Sequence, residues 1–341
     1  MRRLWFINLQ LVFLSLIAFV YILYLWKNLI IPFILSLLVA SLIISLSDFF
    51  KKFKYIKAIS VPLALSVLWA VWYIITSLIR NNLTEVVNKL PIYQRQFIEI
   101  ITSYAEKFNV EDKLNIQNIL TNVDFSTLIN NAFSNVMAVF SSIWMVLFFA
   151  VFIILESKHF PDKMKKMFDT KVKYNKTLEI IKQIQWDIKS YFVIKAIISF
   201  CTALLSYIFM KIIGLDFAEF WALLIFMLNF IPNIWSILAV FFPIMLSVVQ
   251  FEWIFMFFLT VSVLIWIQFL MGNLIEPRYL WNRLNLSPLV ILLSLAFWWA
   301  IWWIIWMLLS VPIIVVINII LSKFKSTRPI AILMSEKWQI K

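Results

Sequence analysis

The stretch that decides the fold lies in the last third of the chain. It reads NFIPNIWSILAVFFP at 229–243, IQFLMGNLIEPRYLWNRLNLSPL at 267–289 and FWWAIWWIIWMLLSVP at 297–312. Apolar segments long enough to cross a bilayer are interrupted here by polar and charged residues. A charged side chain at the centre of a spanning helix costs about 2.5–3.5 kcal/mol on insertion scales, and irregular backbone survives at membrane depth only when protein buries it or water reaches it. The interruptions therefore predict a transport path formed by broken helices. Surface loops between helices are the alternative.

The first polar cluster lies in the segment at 229–243. Pro232 lacks a backbone N–H and disturbs the preceding helical turn, and Asn229 and Asn233 flank it. Free carbonyls and asparagine side chains at such a break bind a cation or a polar solute. We therefore predict that these three residues line the path. A kink that only shapes packing is the alternative.

The second polar cluster follows in the segment at 267–289. Its path candidates are Gln268, Asn273, Glu276 and Arg278. Glu276 and Arg278 are two residues apart and do not share a helical face, so we expect extended chain around Pro277. The most economical arrangement is an ion pair with a neighbouring segment, either Arg278 with Glu252 or Glu276 with Arg283. Such a pair is either a structural brace or part of the solute site.

The composition is that of a polytopic membrane protein. The chain is 64% hydrophobic and 14% charged, whereas soluble domains carry about 25% charged residues. The single cysteine, Cys201, lies in an apolar run, and the single histidine, His159, lies in a basic loop. The sequence contains no phosphate-binding glycine loop, no Ser/His/Asp pattern and no zinc-ligand spacing. We therefore predict no enzymatic activity, no cofactor and no metal.

The apolar runs predict an all-α polytopic membrane protein with about eight transmembrane helices, broken or re-entrant in the C-terminal half. The predicted division is three N-terminal transmembrane helices (1–79), an extramembrane amphipathic helical segment (80–133), a fourth transmembrane helix (134–155), a basic cytoplasmic amphipathic segment (156–191), a C-terminal transport core (192–321) and a cytoplasmic tail (322–341). Pro91 is expected near the start of the extramembrane helix, which forms a small subdomain or lies on the lipid surface. The basic segment lies on the anionic leaflet or docks on the core. The last apolar stretch is expected to break near Pro312.

The net charge of +13 reflects membrane orientation rather than nucleic-acid binding. The lysines collect in particular loops between apolar runs, and such clusters mark the cytoplasmic side. The lysine-rich loops all lie on the cytoplasmic side if the number of spans is even and both termini are in the cytoplasm. The near-neutral residues 80–131 then lie on the opposite side of the membrane.

Four motifs then resemble one family. NFIPNI-x-S, GN-x-IEPR, LSPLV-x-LLSL-x-FW and MLLSVP closely resemble the autoinducer-2 exporter family of bacterial membrane proteins, in that family's order and spacing. The resemblance covers nearly all 341 residues. It implies export of a small polar signalling molecule, and hence quorum sensing, through a homo-oligomer of the bacterial inner membrane, with pentamers proposed.

Glycine and tryptophan usage departs from that family. The chain has 2 glycines and 17 tryptophans, and the resemblance implies glycine at Trp235, Trp281, Trp299, Trp303 and Trp306, and also at Trp144. Small residues on one helical face let helix backbones approach closely. Because some bacterial lineages read UGA as glycine, we interpret these positions as UGA codons. A truly tryptophan-rich interfacial protein is the alternative. The full set assigned to helix breaks and packing is Trp235, Pro277, Trp281, Ser287, Pro288, Trp299, Trp303, Trp306 and Pro312.

Three functions are weighed. Export of a small polar solute comes first, and sodium/proton exchange, with either ion as coupling partner, comes second. Exchange requires a titratable carboxylate, and Glu276 is the one inside the motif. A non-transporting scaffold that acts through residues 80–131 is third. Polar breaks in several spans argue against a scaffold, because a scaffold gains nothing from the energetic cost of placing polar residues inside the membrane.

Overall fold

The described part of the chain is helical throughout its regular structure. A computed structural model describes residues 2–52, 59–107, 143–168, 170–230, 234–251, 253–279, 285–302 and 304–336. The helices are α1 (Arg2–Leu25), α2 (Lys27–Phe50), α3 (Ser60–Lys107), α4 (Ile143–Ser157), α5 (Phe160–Met167), α6 (Lys171–Ile212), α7 (Ala218–Leu228), α8 (Ile234–Gln250), α9 (Ile254–Phe269), α10 (Pro288–Trp302), α11 (Ile304–Lys323) and α12 (Arg328–Met334). A π-helical segment, Leu270–Ile275, continues α9.

Length and apolarity identify the membrane spans. Among the described residues, four helical stretches are long and apolar enough to cross a membrane: Lys27–Phe50, Ser60–Asn82, Lys171–Ile212 and Ile254–Tyr279. A fifth is obtained if α4 and α5, which meet at 61°, form one span. Apolar runs become helices in lipid because every backbone polar group must be paired within the segment. The predicted all-α polytopic membrane class is confirmed, and the number of eight spans stays a prediction.

The surface of α6 shows the same environment. Ile197, Phe200, Leu204 and Ile208 are exposed on this helix, while its polar residues between 195 and 206 are buried. A helix in water turns its polar face outward. The reversed arrangement is expected where the surrounding solvent is lipid.

Two predicted boundaries fall inside continuous helices. α3 runs from Ser60 to Lys107, so Pro91 lies in a helix interior and not near a helix start. Its exposed position explains the difference, because the carbonyl freed by the missing N–H is not confined in a core. In the same way, α6 joins the predicted basic amphipathic helix to the predicted fifth span.

The chain divides into two compact units, and the first comprises residues 1–65, 141–192 and 283–341. In it, α2 packs against α4, with the rings of Phe33 and Phe149 in edge contact at 5.8 Å. α10 and α11 pack against each other, and the Ser294 hydroxyl donates to the Ser310 carbonyl at 3.2 Å. The last apolar stretch is divided into α10 and α11, as predicted, but Pro312 lies inside α11, so the predicted position of the break near Pro312 is wrong. Proline is tolerated within spanning helices where neighbouring helices re-satisfy the backbone.

The second unit comprises residues 66–140 and 193–282 and contains a helical hairpin. We call residues 218–250, which hold α7 and α8, the central hairpin. The indole of Trp221 on α7 stacks on the ring of Phe242 on α8 at 6.1 Å, so the two helices fold back on each other. α7 has 11 residues, or about 16 Å of helix, which is too short for a hydrocarbon core of about 30 Å. The central hairpin is therefore re-entrant in character.

The end of α6 turns the chain into the central hairpin. Gly214 has a φ of +73°, its N–H donates to the Lys211 carbonyl, and the Leu215 N–H donates to the Met210 carbonyl. These two bonds form a Schellman motif, which uses glycine because a left-handed residue is required there. Met210 and Leu215 complete it by packing in one apolar cluster. Gly214 thus defines the base of the hairpin.

Candidate functional site

Four buried polar residues follow one face of α6. Lys195, Ser199, Thr202 and Ser206 are spaced four, three and four residues apart, which places them on the same side of a helix. All four are almost completely buried. We call them the polar stripe. Polar residues in a spanning helix are costly and face a protein interior or a path, so the stripe marks the side of α6 that is turned away from lipid.

An ion pair closes one end of the polar stripe. The Lys195 ammonium contacts the Glu276 carboxylate, and the two side chains are 1% and 14% exposed. An unpaired ammonium in such a place would cost several kcal/mol in lost hydration. The pair therefore neutralises two charges that neither segment could bury alone. The two pairs predicted from the sequence, Glu276 with Arg283 and Arg278 with Glu252, involve Arg283 and Glu252, which lie outside the described residues.

The π-helical segment positions Glu276. The Glu276 N–H donates to the Met271 carbonyl five residues earlier, which is the bonding pattern of a π-bulge. The chain then stays helical through Tyr279, so the expected extended chain around Pro277 is wrong. Pro277, which follows Glu276 directly, has no N–H to donate. The wider π-helical turn changes the hydrogen-bonding pattern just before Pro277, so the helix continues past it.

The tip of the central hairpin meets the polar stripe. α7 ends at Leu228 and α8 begins at Ile234, so the two helices separate at the predicted break. The Asn229 side-chain amide donates to the Ser199 hydroxyl at 3.2 Å, and both groups are buried. Ser199 is one helical turn from Lys195, so hairpin tip and ion pair are neighbours on α6. Pro232 and Asn233 lie outside the described residues.

Two buried polar atoms, one on the polar stripe and one on α9, have no protein partner within the described residues. They are the Ser206 hydroxyl and the Gln268 side-chain nitrogen. Buried polar groups are almost always hydrogen-bonded, to protein or to ordered water. Their placement on the stripe and on α9 suits a path that accepts water or a polar solute.

The remaining predicted path residues are less central. Asn273 and Arg278 are exposed, and their part in a path stays a prediction. Among the residues assigned to helix starts, Ser287 directly precedes α10 and Pro288 is its first residue. The structure thus brings Asn229 and Glu276 together through α6 and leaves Asn273 and Arg278 outside the buried cluster.

The tryptophans separate into two groups by burial. Trp298 is buried in a core with Leu309, and Trp221 packs against the apolar cluster of the central hairpin; neither was assigned to glycine. Trp144 and Trp299, which were, are 75% and 51% exposed. Trp281 and Trp303 lie outside the described residues, as do the side chains of Trp235 and Trp306. Both described indoles at positions assigned to glycine are therefore exposed, and the assignment to glycine stays a prediction.

The sequence reasoning missed the polar stripe. Its signal was Lys195, a charge three residues into an apolar run from Phe192, followed by Ser199, Thr202 and Ser206 at helical spacing. A lysine inside a spanning segment is a functional-site hypothesis by default. The proline and asparagine breaks in the last third of the chain are a more conspicuous pattern than evenly spaced polar residues within one regular helix.

Comparison with known proteins gives a consistent result. The profile of the family described as AI-2E family transporter matches residues 13–326. The AI-2 transport protein TqsA of Escherichia coli K12 is 27% identical over 315 residues, covering 91% of this chain and 90% of that protein. A putative transport protein of Haemophilus influenzae is 27% identical over 316 residues, with the same coverage. A putative transport protein of Borreliella burgdorferi is 29% identical over 249 residues, covering 70% and 66%.

Proposed function

The chain belongs to the AI-2E transporter family and is a multi-pass membrane transporter, and from that premise we propose that it exports a small polar solute along the polar stripe. Its solute is of the kind named for the Escherichia coli relative, an AI-2 transport protein. We place it in the bacterial inner membrane as a homo-oligomer, with a pentamer as the first candidate. Both termini face the cytoplasm, as the lysine distribution favours.

The observation that carries this proposal is the contact between the tip of the central hairpin and the polar stripe. The Asn229 amide covers Ser199, one turn from the Lys195–Glu276 pair. In this conformation the stripe is sealed from solvent. Withdrawal of the tip uncovers a row of hydroxyls that replaces the hydration of a polar solute, as irregular helix ends do in other transporters.

Two serine variants test the path. Ser206→Ala removes a buried hydroxyl that has no protein partner within the described residues, so only the solute loses a bond. A hydrogen bond is worth about 0.5–1.5 kcal/mol, and flux of AI-2 from vesicles should fall roughly two- to tenfold. Ser247→Ala is the matched control, because this equally buried hydroxyl donates to the Ile244 carbonyl of its own helix at 2.7 Å. Equal losses in both variants, or none in Ser206→Ala, contradict the path.

Sodium/proton exchange is the second candidate function, and the Lys195–Glu276 pair is the observation that favours it. Charged pairs within spans recur in ion-coupled transporters. Vesicles with an imposed proton or sodium gradient separate the two functions. Exchange predicts ion flux without AI-2 and its complete loss in Glu276→Gln, because the group no longer titrates. Export with Glu276 as a brace predicts partial flux in the same variant, since glutamine keeps some hydrogen bonds.

A further inference from the structure

The second half of α3 contacts the base of the central hairpin through one carboxylate. We call residues 83–107 the arm. The Asp216 carboxylate accepts hydrogen bonds from the Lys89 ammonium at 2.8 Å and from the Tyr93 hydroxyl. Lys89 and Tyr93 are four residues apart and so share one face of the arm. The arm therefore holds the turn that leads into the hairpin.

Asp216 is in turn fixed to both helices of the hairpin. Its backbone N–H donates to the Gln250 side chain at the end of α8 at 2.8 Å, and the same side chain donates to the Gly214 carbonyl at 2.8 Å. The Trp221 indole on α7 donates to the Asp216 carbonyl at 3.1 Å. Any displacement of the hairpin base must therefore carry Asp216 with it.

The next residue is strained and is held by the same arm residues. Phe217 has a φ of +58°, a left-handed conformation that is unusual for a bulky side chain. Its buried ring meets the edge of the Tyr93 ring at 6.2 Å, and the Lys89 ammonium lies 5.3 Å from its centroid. Strain of this kind persists only where the surroundings enforce it, and it clusters in moving segments.

The structure also provides an alternative partner and the space to move. The Lys89 ammonium lies 3.4 Å from the Glu85 carboxylate one turn earlier on the arm, so release of Asp216 does not leave it unpaired. We call residues 214–217 the hinge, and they line an open surface pocket of about 460 Å³ together with residues that include Asn81, Glu85, Lys211 and Glu219. Lys211 and Glu219 are paired with each other. The pocket leaves open space beside Asp216, whereas the Leu215 and Phe217 side chains are buried.

We propose that Lys89 and Tyr93 are positioning residues that clamp the hinge of the central hairpin at Asp216. Opening of the clamp relaxes Phe217 and lets the hairpin tip leave Ser199, which exposes the polar stripe. The link to flux rests on the proposed function, whereas the clamp itself does not. Because the Lys89 and Asp216 side chains are 37% and 31% exposed, salt screens their attraction and favours opening.

Hydrogen exchange of the full-length protein in lipid vesicles, read by mass spectrometry, tests the clamp directly. Asp216→Asn should raise exchange at residues 213–230 at least tenfold while leaving α9 unchanged. Tyr93→Phe keeps the ring contact with Phe217 and should give a smaller increase at the same residues. A double variant with the charges swapped, Lys89→Asp with Asp216→Lys, should bring the hydrogen-exchange rate at these residues back to within about threefold of the wild-type rate. Glu156→Gln, which breaks an exposed pair with Lys163, is the control and should leave residues 213–230 unchanged.

Salt and flux distinguish a clamp from a general structural role. Raised salt should increase exchange at residues 213–230 in the wild type but not in Asp216→Asn. In AI-2 flux, clamp variants should lower the apparent KM, because a larger fraction of the molecules has the solute-binding stripe exposed when the hairpin is shifted towards the open state. Unchanged exchange in both Asp216→Asn and Tyr93→Phe overturns the clamp, and so does increased exchange throughout the protein. Raised local exchange without any AI-2 flux, in wild type or variants, supports the clamp and refutes the export function instead.

Discussion

Removal of one partner from the Lys195–Glu276 pair should strongly destabilise the folded protein. In Lys195→Met the Glu276 carboxylate stays buried without its cation, and in Glu276→Gln the Lys195 ammonium, 1% exposed, stays buried without its anion. Breaking a buried pair from one side typically costs about 3–5 kcal/mol. We therefore expect each single variant to lower the free energy of unfolding by about that amount, a hundredfold or more in the folded-to-unfolded ratio.

The double variant separates pairing from burial. In Lys195→Met with Glu276→Gln neither charge remains, and a buried pair replaced by neutral groups of similar volume is often as stable as the original. The double variant should therefore be more stable than either single variant, with a coupling of roughly 2–3 kcal/mol. Asp48→Asn is the matched control, because the Lys51–Asp48 pair has side chains 44% and 60% exposed. Its loss should cost less than about 1 kcal/mol.

The measurement is the free energy of reversible unfolding in mixed micelles, obtained by titration with SDS. It compares wild type, both single variants, the double variant and the control. Flux is then measured in vesicles, normalised to assembled protein. Additive single-variant effects, with a coupling below about 0.5 kcal/mol, would refute the argument that the two charges are buried for each other. A double variant with restored stability and full transport would show that the pair is a brace and nothing more.

Three further outcomes are expected. The hydrogen bond to Asp216 raises the pKa of Lys89. Burial raises the pKa of Asp216, but the hydrogen bonds from Lys89 and Tyr93 outweigh it, so the pKa of Asp216 is lowered. The clamp should weaken only as pH falls through the Asp216 pKa or rises through the Lys89 pKa, so the ratio of the hydrogen-exchange rates of wild type and Asp216→Asn at residues 213–230 should be constant from about pH 5 to 9. Peptide mass spectrometry of the native protein should find glycine at position 299 and tryptophan at 298; a tryptophan mass at 299 contradicts the UGA interpretation. Single cysteines at 112 and 170, in a Cys201→Ala background, should react with an impermeant reagent in intact cells at 112 alone, and labelling at 170 contradicts the orientation.

The sequence predicted the fold class, which depends on the lipid solvent, but not the continuity of helices through proline, which depends on the local surroundings of each proline. Apolar length and scattered polar interruptions were enough for the fold class, because lipid leaves the backbone few alternatives. The continuity of α3 through Pro91 was not predictable in that way, since proline is a helix-breaker only where its freed carbonyl is left without solvent or a partner. Pro312 is buried inside α11, so exposure does not account for it; proline is tolerated in spanning helices where neighbouring groups satisfy the freed backbone.

The candidate site divides along the same line. Asn229 and Glu276 were predicted because a polar residue at a break is conspicuous against an apolar background. The sequence suggested an ion pair with a neighbouring segment, either Glu276 with Arg283 or Arg278 with Glu252, whereas the structure shows a partner for Glu276 in Lys195, which is 81 residues away. A one-dimensional pattern shows that a buried charge needs a partner, and only the packing of α6 against the π-helical segment shows which one.

The contacts around the stripe differ enough in strength to set the order in which it opens. Among the described contacts, the hairpin tip is held to α6 by one neutral hydrogen bond, from Asn229 to Ser199, worth about 1 kcal/mol. The Lys195–Glu276 pair one turn away costs about 3–5 kcal/mol to break from one side. Separation of the Lys195 and Glu276 charges would leave both without a partner in a buried site, which costs several kcal/mol per ion. We therefore expect the tip to separate first, with the ion pair closed as a fixed point on α6. A contact this weak cannot by itself keep a transporter shut. Further restraint comes from the apolar cluster in which Ile225 and Val240 of the hairpin pack with Ala203 of α6. At the hairpin base, Asp216 is held by two donors from the arm and by Gln250 from α8.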